Sequence, residues 1–270
     1  MSAADPRHPA LVPLLAAGCR VRAVARTAST QVLAHGAVRG GAGPWWCAVA
    51  AEQTAGRGRQ GRPWTAPEGT ALLTSVVVPA LRGGWAALGA GVAVRDAVTP
   101  FLGRDGDAVL GLKWPNDVLA GGRKVAGILV EVPPRHPELA IVGVGIDLQP
   151  ESAPPGGGAV SLAELMGMAP PPPVEAVLAA LLGALRARWA EAAADGGFAL
   201  AAEWRRRSVG LGGPVRAMLP RGRVLDGVAE GVDEDGALLV RGPAGLERLV
   251  AADVHIGTDG TATPQGAVPP

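Results

Sequence analysis

Residues 52–64 read EQTAGRGRQGRPW, which interleaves Arg57, Arg59 and Arg62 with Gly56, Gly58 and Gly61. Arginine stays charged and grips a carboxylate or phosphate through two N–H groups. Glycine lets backbone amides approach a ligand with no Cβ in the way. The stretch therefore fits a cover for one small anionic ligand. Other segments stand at a distance from it: Ser29-Thr30-Gln31 upstream, then KWPND at 113–117, RKVAGILVE at 123–131 and GVGIDL at 143–148. Each alone has an ordinary reading. Ser-Thr-Gln suits a helix N-cap, KWPND a strand running into an Asn-Asp turn, and GVGID a tightly packed strand.

Two rival readings of the arginine loop fail on their surroundings. Gly56, Gly58 and Gly61 spell G-x-G-x-x-G, but the dinucleotide fingerprint needs a helix directly afterwards. After Gly61 the chain continues RPWTAPEG, where Pro63 and Pro67 oppose a helix. An acidic residue about 20 positions on, for a ribose hydroxyl, is also missing. An Arg-Gly nucleic-acid segment calls for a basic excess, whereas Lys+Arg 25 against Asp+Glu 24 leaves a net charge of +1, with 3% aromatics. The other basic cluster, Arg205 to Arg207, reads as the solvated face of a helix. A mobile surface hairpin with solubilising arginines is the plain alternative.

Strands are expected at 45–51, 70–79 and 111–114. The runs 128–132 and 139–148 are expected as an antiparallel pair joined by PPRHPE. Helical periodicity covers 85–102, with Pro100 near its end. Residues 152–173 read as loop with one turn at 162–166. A strong helix spans 174–194 and stops at Asp195-Gly196-Gly197, and a shorter one spans 198–208. Short alternating segments from 212 to 257, divided at Asp235-Gly236 and Pro243-Ala-Gly245, predict a small β-barrel. Residues 258–270 read as a disordered tail.

With 270 residues, 48% of them hydrophobic, the chain can bury a large core. Two cysteines without C-x-x-C argue for a reducing compartment and against a disulfide framework. The four histidines lack metal-ligand spacing. No run approaches the roughly 20 apolar residues of a membrane span. A cytoplasmic protein that binds neither membrane nor DNA is expected.

Taken in order, G-R-G-R-x-G-R-x-W, K-W-P-N-D, G-R-K-x-A-G-I-L-V-E and G-x-G-I resemble the biotin protein ligases over about residues 20–257. The resemblance implies an α+β fold, a mixed sheet with flanking helices related to class II aminoacyl-tRNA synthetases, plus a C-terminal SH3-like barrel. It implies domains at 20–209 and 210–257 after an extension at 1–19. Only about 20 residues precede the matching region, so the expected type is monofunctional, without the DNA-binding domain some members carry. Implied substrates are biotin and ATP, with magnesium bridging phosphates and no metal held tightly by protein. The implied partner is a biotin carboxyl carrier protein of an acyl-CoA carboxylase. Oligomeric state is left open.

By the same resemblance, Ser29, Thr30, Gln31 and Gln53 line a site for the biotin head group. Gly56, Arg57, Gly58 and Arg59 cover its carboxylate and the phosphate region. Lys124 is the main catalytic candidate, holding carboxylate and α-phosphate oxygens together, with Arg57, Arg59 and Asp117 beside it. Gly127, Ile128 and Gly143 give backbone and apolar wall to biotin. Arg59, Arg62, Trp64, Lys113, Asn116, Lys124 and Asp147 are implied ATP contacts. Trp64 either stacks on adenine or anchors the loop. Asn116 and Asp117 contact nucleotide, magnesium or the carrier lysine. The chain departs from the pattern at Asp147, where Asn is common, at Gln60, where Arg is common, and at Gln31 in place of Asn. The rivals are a lipoate or octanoate ligase of the same fold and a non-enzymatic nucleic-acid-binding module.

Overall fold

A computed structural model describes residues 18–103, 106–154, 156, 158–167 and 169–257. The expectations for the tail, and for all but the last two residues of the 1–19 extension, lie outside them. The larger sheet has seven strands in the order β1-β2-β3-β7-β6-β5-β4. These are β1 Arg20–Thr27, β2 Trp46–Gln53, β3 Ala71–Pro79, β4 Leu110–Lys113, β5 Asp117–Ala120, β6 Arg123–Glu131 and β7 Leu139–Asp147. β1 and β2 run parallel, joined through helix α1 (Thr30–Arg39), and every other neighbour pair is antiparallel. The mixed sheet and the antiparallel β6–β7 pair are as the sequence implies.

Strand alternation divides the sheet into two unlike faces. Along β7, Ala140, Val142, Val144 and Ile146 enter the main core. That core includes Leu88 and Val92 of α2 (Trp85–Val98) and Leu178, Leu181 and Leu185 of α3 (Val174–Asp195). Burying each such side chain is worth about 1.5–3 kcal/mol. On the other face Leu139 and Ile141 pack with Val77 beneath Ala34 and Val38 of α1. Beyond α1 the same row continues as Gly143, Gly145 and Asp147, with no described helix over it. This uncovered half-face is where the chemistry-bearing residues meet.

Four elements differ from expectation. β1 (RVRAVART) exposes Arg20, Arg22 and Arg26 and lies at the sheet's edge. Edge strands are kept polar in this way, which weakens their apolar signal. α1 follows Ser29, whose hydroxyl accepts from the Gln31 backbone N–H at 3.3 Å. Its helix was visible in the sequence only as that cap. β5 begins at Asp117, where KWPND is expected to end its strand in an Asn-Asp turn. The 85–102 helix ends at Val98, and a tighter turn, Thr99–Leu102, carries Pro100.

The helix α4 (Phe198–Arg207) leads to a second sheet. Its strands are β8 Pro214–Met218, β9 Val224–Val232, β10 Leu238–Gly242, β11 Gly245–Leu249 and β12 Asp253–Ile256. They pair antiparallel in the order β11-β10-β9-β8-β12, in keeping with an SH3-like unit. Its β9–β10 turn docks on the start of α2. Trp85 Nε1 donates to Glu234 O at 2.9 Å and Trp114 Nε1 to Gly236 O at 3.0 Å. The Gly84 N–H donates to Asp235 O at 2.7 Å. Among the described residues no helix is long and apolar enough to cross a membrane.

Candidate active site

Gly127 of β6 and Gly145 of β7 sit opposite each other in register. Together they make a backbone floor on which the Trp64 indole lies. A Cβ on Gly145 would stand 2.4 Å from the Trp64 ring, and one on Gly127 would stand 2.8 Å from it. Neither contact is tolerable for a larger residue, so close approach requires glycine at both positions. Lys124 Nζ lies 5.3 Å from the Trp64 ring centroid, within cation–π range.

A β-bulge puts Lys124 there. The β5–β6 register shifts between Val118 and Leu119, so Ala126 pairs with Val118 and Lys124 with Leu119. Val125 is the extra residue, and its side chain is fully buried in the main core. Strict alternation from Gly127 would send Lys124 into that core. The bulge re-aims it, so that its Nζ comes 2.9 Å from where a Gly127 Cβ would be.

The polar end of the floor is built by α1 and β2. Thr30 N–H and Oγ1 donate to Gln53 Oε1 at 2.7 and 3.1 Å. Thr30 Oγ1 also shares a 2.7 Å hydrogen bond with Ser75 Oγ of β3. Gln31 is 8% exposed, and its amide lies over Gly143, with Cδ 3.2 Å from where a Cβ would be. Both Oε1 and Nε2 of Gln31 are buried without a hydrogen-bond partner among the described residues. A buried amide left unpaired costs about 1–3 kcal/mol, which a polar ligand would recover.

The charged end gathers Lys113, Asp117, Asn116 and the loop. Lys124 Nζ is 2.6 Å from Asp117 Oδ1, and Lys113 faces Asp117 across β4 and β5. Burial pulls the Lys113 amine below its ordinary value, with Lys124 adding to the effect and Asp117 opposing it. Asn116 Nδ2 donates to Ile128 O at 2.8 Å and its Oδ1 accepts from Arg59 Nη1 at 3.3 Å. The loop folds on itself: Gly58 N–H donates to Arg62 O at 2.7 Å and Trp64 N–H to Gly56 O at 2.9 Å. Gly56 is closely wedged, since a Cβ there would meet Trp64 O at 2.3 Å. Burial lowers the Arg59 pKa, opposed by Asp253 and Asp117.

Asp147 closes the row of Gly143 and Gly145 at 2% exposure. Burial pushes its carboxyl up from 3.8 to about 7, with Ser152 and Lys124 opposing the rise. Near neutrality it is therefore partly a neutral acid, able to donate as well as accept.

The structure thus brings Ser29, Thr30, Gln31, Gln53, Gly56, Trp64, Lys113, Asn116, Asp117, Lys124, Gly127, Gly143 and Asp147 to one half-face with Gly58 and Arg59 of the loop. Arg57 is exposed, and its side chain makes no hydrogen bond to a described residue. Ile128 is a correction. It alternates to the opposite face, 4.0 Å from where a Gly91 Cβ on α2 would be, so its side chain is core and not a wall of this site. Its backbone still serves, bonding Asn116 in both directions. Gly145 was missed, although its spacing of two from Gly143 marks a shared face. Ser75 and Asp253 were also missed, and nothing local in the sequence points to either. Among the described residues no group of three or more His, Cys, Asp or Glu side chains is placed to hold a metal.

The biotin/lipoate A/B protein ligase family model matches residues 24–147, and the biotin protein ligase C-terminal domain model matches residues 210–257. A biotin–[acetyl-CoA-carboxylase] ligase of Paracoccus denitrificans is 37% identical over 87% of this chain and 99% of its own length. A ligase of the same name from Mycobacterium tuberculosis is 41% identical over 70% of this chain and 71% of its own. Among solved structures, the Aquifex aeolicus biotin protein ligase in complex with biotin and ATP superposes with a TM-score of 0.74 at 22% identity. That alignment covers 88% of this chain and 99% of the other. The Leishmania major biotin protein ligase in complex with biotinyl-5-AMP gives 0.61 at 26% identity, covering 86% and 99%.

Proposed function

The chain belongs to the biotin/lipoate A/B protein ligase family, and we infer that its half-face site catalyses ATP-dependent ligation of biotin to a biotin carboxyl carrier protein. In the first step a biotin carboxylate oxygen bonds to the α-phosphorus of ATP and pyrophosphate leaves, giving biotinyl-5'-AMP. In the second a carrier lysine amine bonds to the acyl carbon and AMP leaves. The names of the relatives make the carrier of acetyl-CoA carboxylase the natural acceptor.

The first step presses one anion on another, so charge must be neutralised where their oxygens meet. Lys124 is suited to that by its bulge-set position beside Asp117, from which it can exchange one carboxylate for the ligand's. Arg57 and Arg59 cover the mixed anhydride, and loop closure keeps water from it. Gln31, with Thr30, Ser29 and Gln53, receives the ureido ring. Trp64, Asn116, Lys113 and Asp147 form the nucleotide side. Magnesium would arrive with the triphosphate and neutralise charge there.

The observation that carries the reading is the unpartnered amide of Gln31 on the same strand face as Lys124 and Trp64. A buried amide calls for a polar head group, where a fatty or lipoyl chain would leave it unpaired. Incubation with biotin, ATP and magnesium, without carrier, should yield biotinyl-5'-AMP and pyrophosphate. Gln31→Leu should raise the KM for biotin about 10- to 100-fold and leave that for ATP nearly unchanged. Adenylation of lipoate in preference to biotin would overturn the substrate.

A further inference from the structure

We propose that Asp253 of the C-terminal sheet is a positioning residue for the reaction, holding the arginine loop over the site through Arg62. The proposal rests on reading that loop as the cover of the acyl-adenylate. Arg62 Nη2 lies 2.7 Å from Asp253 Oδ1, 191 residues away in the chain. One residue earlier, Ala252 O accepts from Arg59 Nη1 at 3.3 Å. Two arginines of the loop thus reach two consecutive residues at the start of β12. The loop's backbone hydrogen bonds stay within the loop or run from its base to Thr27 and Ala28, so these side-chain contacts, with Arg59 to Asn116, tie its tip across the floor.

The contacts divide the arginines by task. Arg62 gives its charge to a carboxylate. Among the described residues the direct hydrogen bonds of the Arg59 side chain go to neutral oxygens, those of Asn116 and Ala252, with no carboxylate in direct contact, so its charge stays available to an incoming anion. The geometry therefore assigns Arg62 to the latch, where the sequence resemblance implies an ATP contact. The Arg62 side chain is 61% exposed and that of Asp253 24% exposed. Such a pair contributes modestly, and a weak latch can open for substrate entry and product release. Removing it should change loop opening by about threefold to fivefold.

Trypsin tests the latch without substrate, because Arg57 and Arg59 are cleavable in an open loop whereas Arg62 is shielded by Pro63. Asp253→Asn should speed cutting after Arg57 and Arg59 about threefold to fivefold at an unchanged melting temperature, and Asp253→Glu should restore protection. With substrates, Asp253→Asn should raise the KM for ATP and the fraction of biotinyl-5'-AMP escaping to solvent by a similar factor, with kcat little changed. Cutting and escape equal to wild type at unchanged melting temperature would overturn the proposal. If Asp253→Asn lowers the melting temperature, the charge-swapped pair Arg62→Asp with Asp253→Arg decides. Restored protection relative to either single variant supports the latch, and no restoration overturns it. Failure of the wild type to make any adenylate would strike the functional reading alone, since the protease result stands apart from it.

Discussion

Lys124 faces Asp117 at 2.6 Å, so its charge is held in place by the fold itself. Such preorganisation is what makes a fixed cation effective in a transition state. Lys124→Ala should lower the rate of adenylate formation about 10²- to 10³-fold, read as pyrophosphate release, with the fold intact by circular dichroism. Asp147 makes a different prediction. Its native carboxyl titrates near 7, against 3.8 for the ordinary group. Between those values the native state keeps a proton that the unfolded state has lost. Stability therefore falls as pH rises through that window, the benefit being complete only below it. Asp147→Asn removes the slope. It should melt above wild type on the alkaline side of the window and close to it on the acid side, as thermal melts at several pH values would record.

The elements explain why those residues meet. The glycine row of β7 and the Val125 bulge of β6 supply a floor and a direction, and α1 supplies the polar end. Gly145→Ala would drive a Cβ into the Trp64 ring at 2.4 Å. It should displace Trp64 and cost about 1–3 kcal/mol of stability in a denaturant titration, with a raised KM for ATP. Much of this was open to sequence reading. The apolar run 139–148 identifies β7, and its two glycines two residues apart fall on one face open to close approach. The bulge was not readable, because RKVAGILVE continues an ordinary strand pattern through Val125. Ile128 shows the cost: implied beside Gly127 by the resemblance, its side chain turns to the core, since neighbours on a strand point oppositely. β1 hid behind its arginines and α1 behind a bare N-cap, because an edge strand and a half-covered helix carry little apolar signal.

At the scale of the whole molecule, the two sheets act together because the β9–β10 turn is fitted against α2. Gly83 is part of that fit, with φ +54 and room for no Cβ, which would meet Asp235 O at 2.3 Å. Gly83→Ala should lower the melting temperature, and through the shifted C-terminal sheet it should also raise the KM for ATP. These contacts, like Arg62 to Asp253, join residues far apart in the chain, and no local pattern announces them. The C-terminal strands could be read individually, but their contact with the arginine loop could not. The central claim is that this site activates biotin and delivers it to a carrier lysine. It is tested most directly by the mass of a biotin carboxyl carrier domain after incubation with the enzyme, ATP and magnesium, with biotin in one tube and lipoate in another. The account predicts a gain of one biotinyl group, abolished by Lys124→Ala and by replacing the acceptor lysine. A lipoyl gain, or no gain from a folded enzyme, would contradict it.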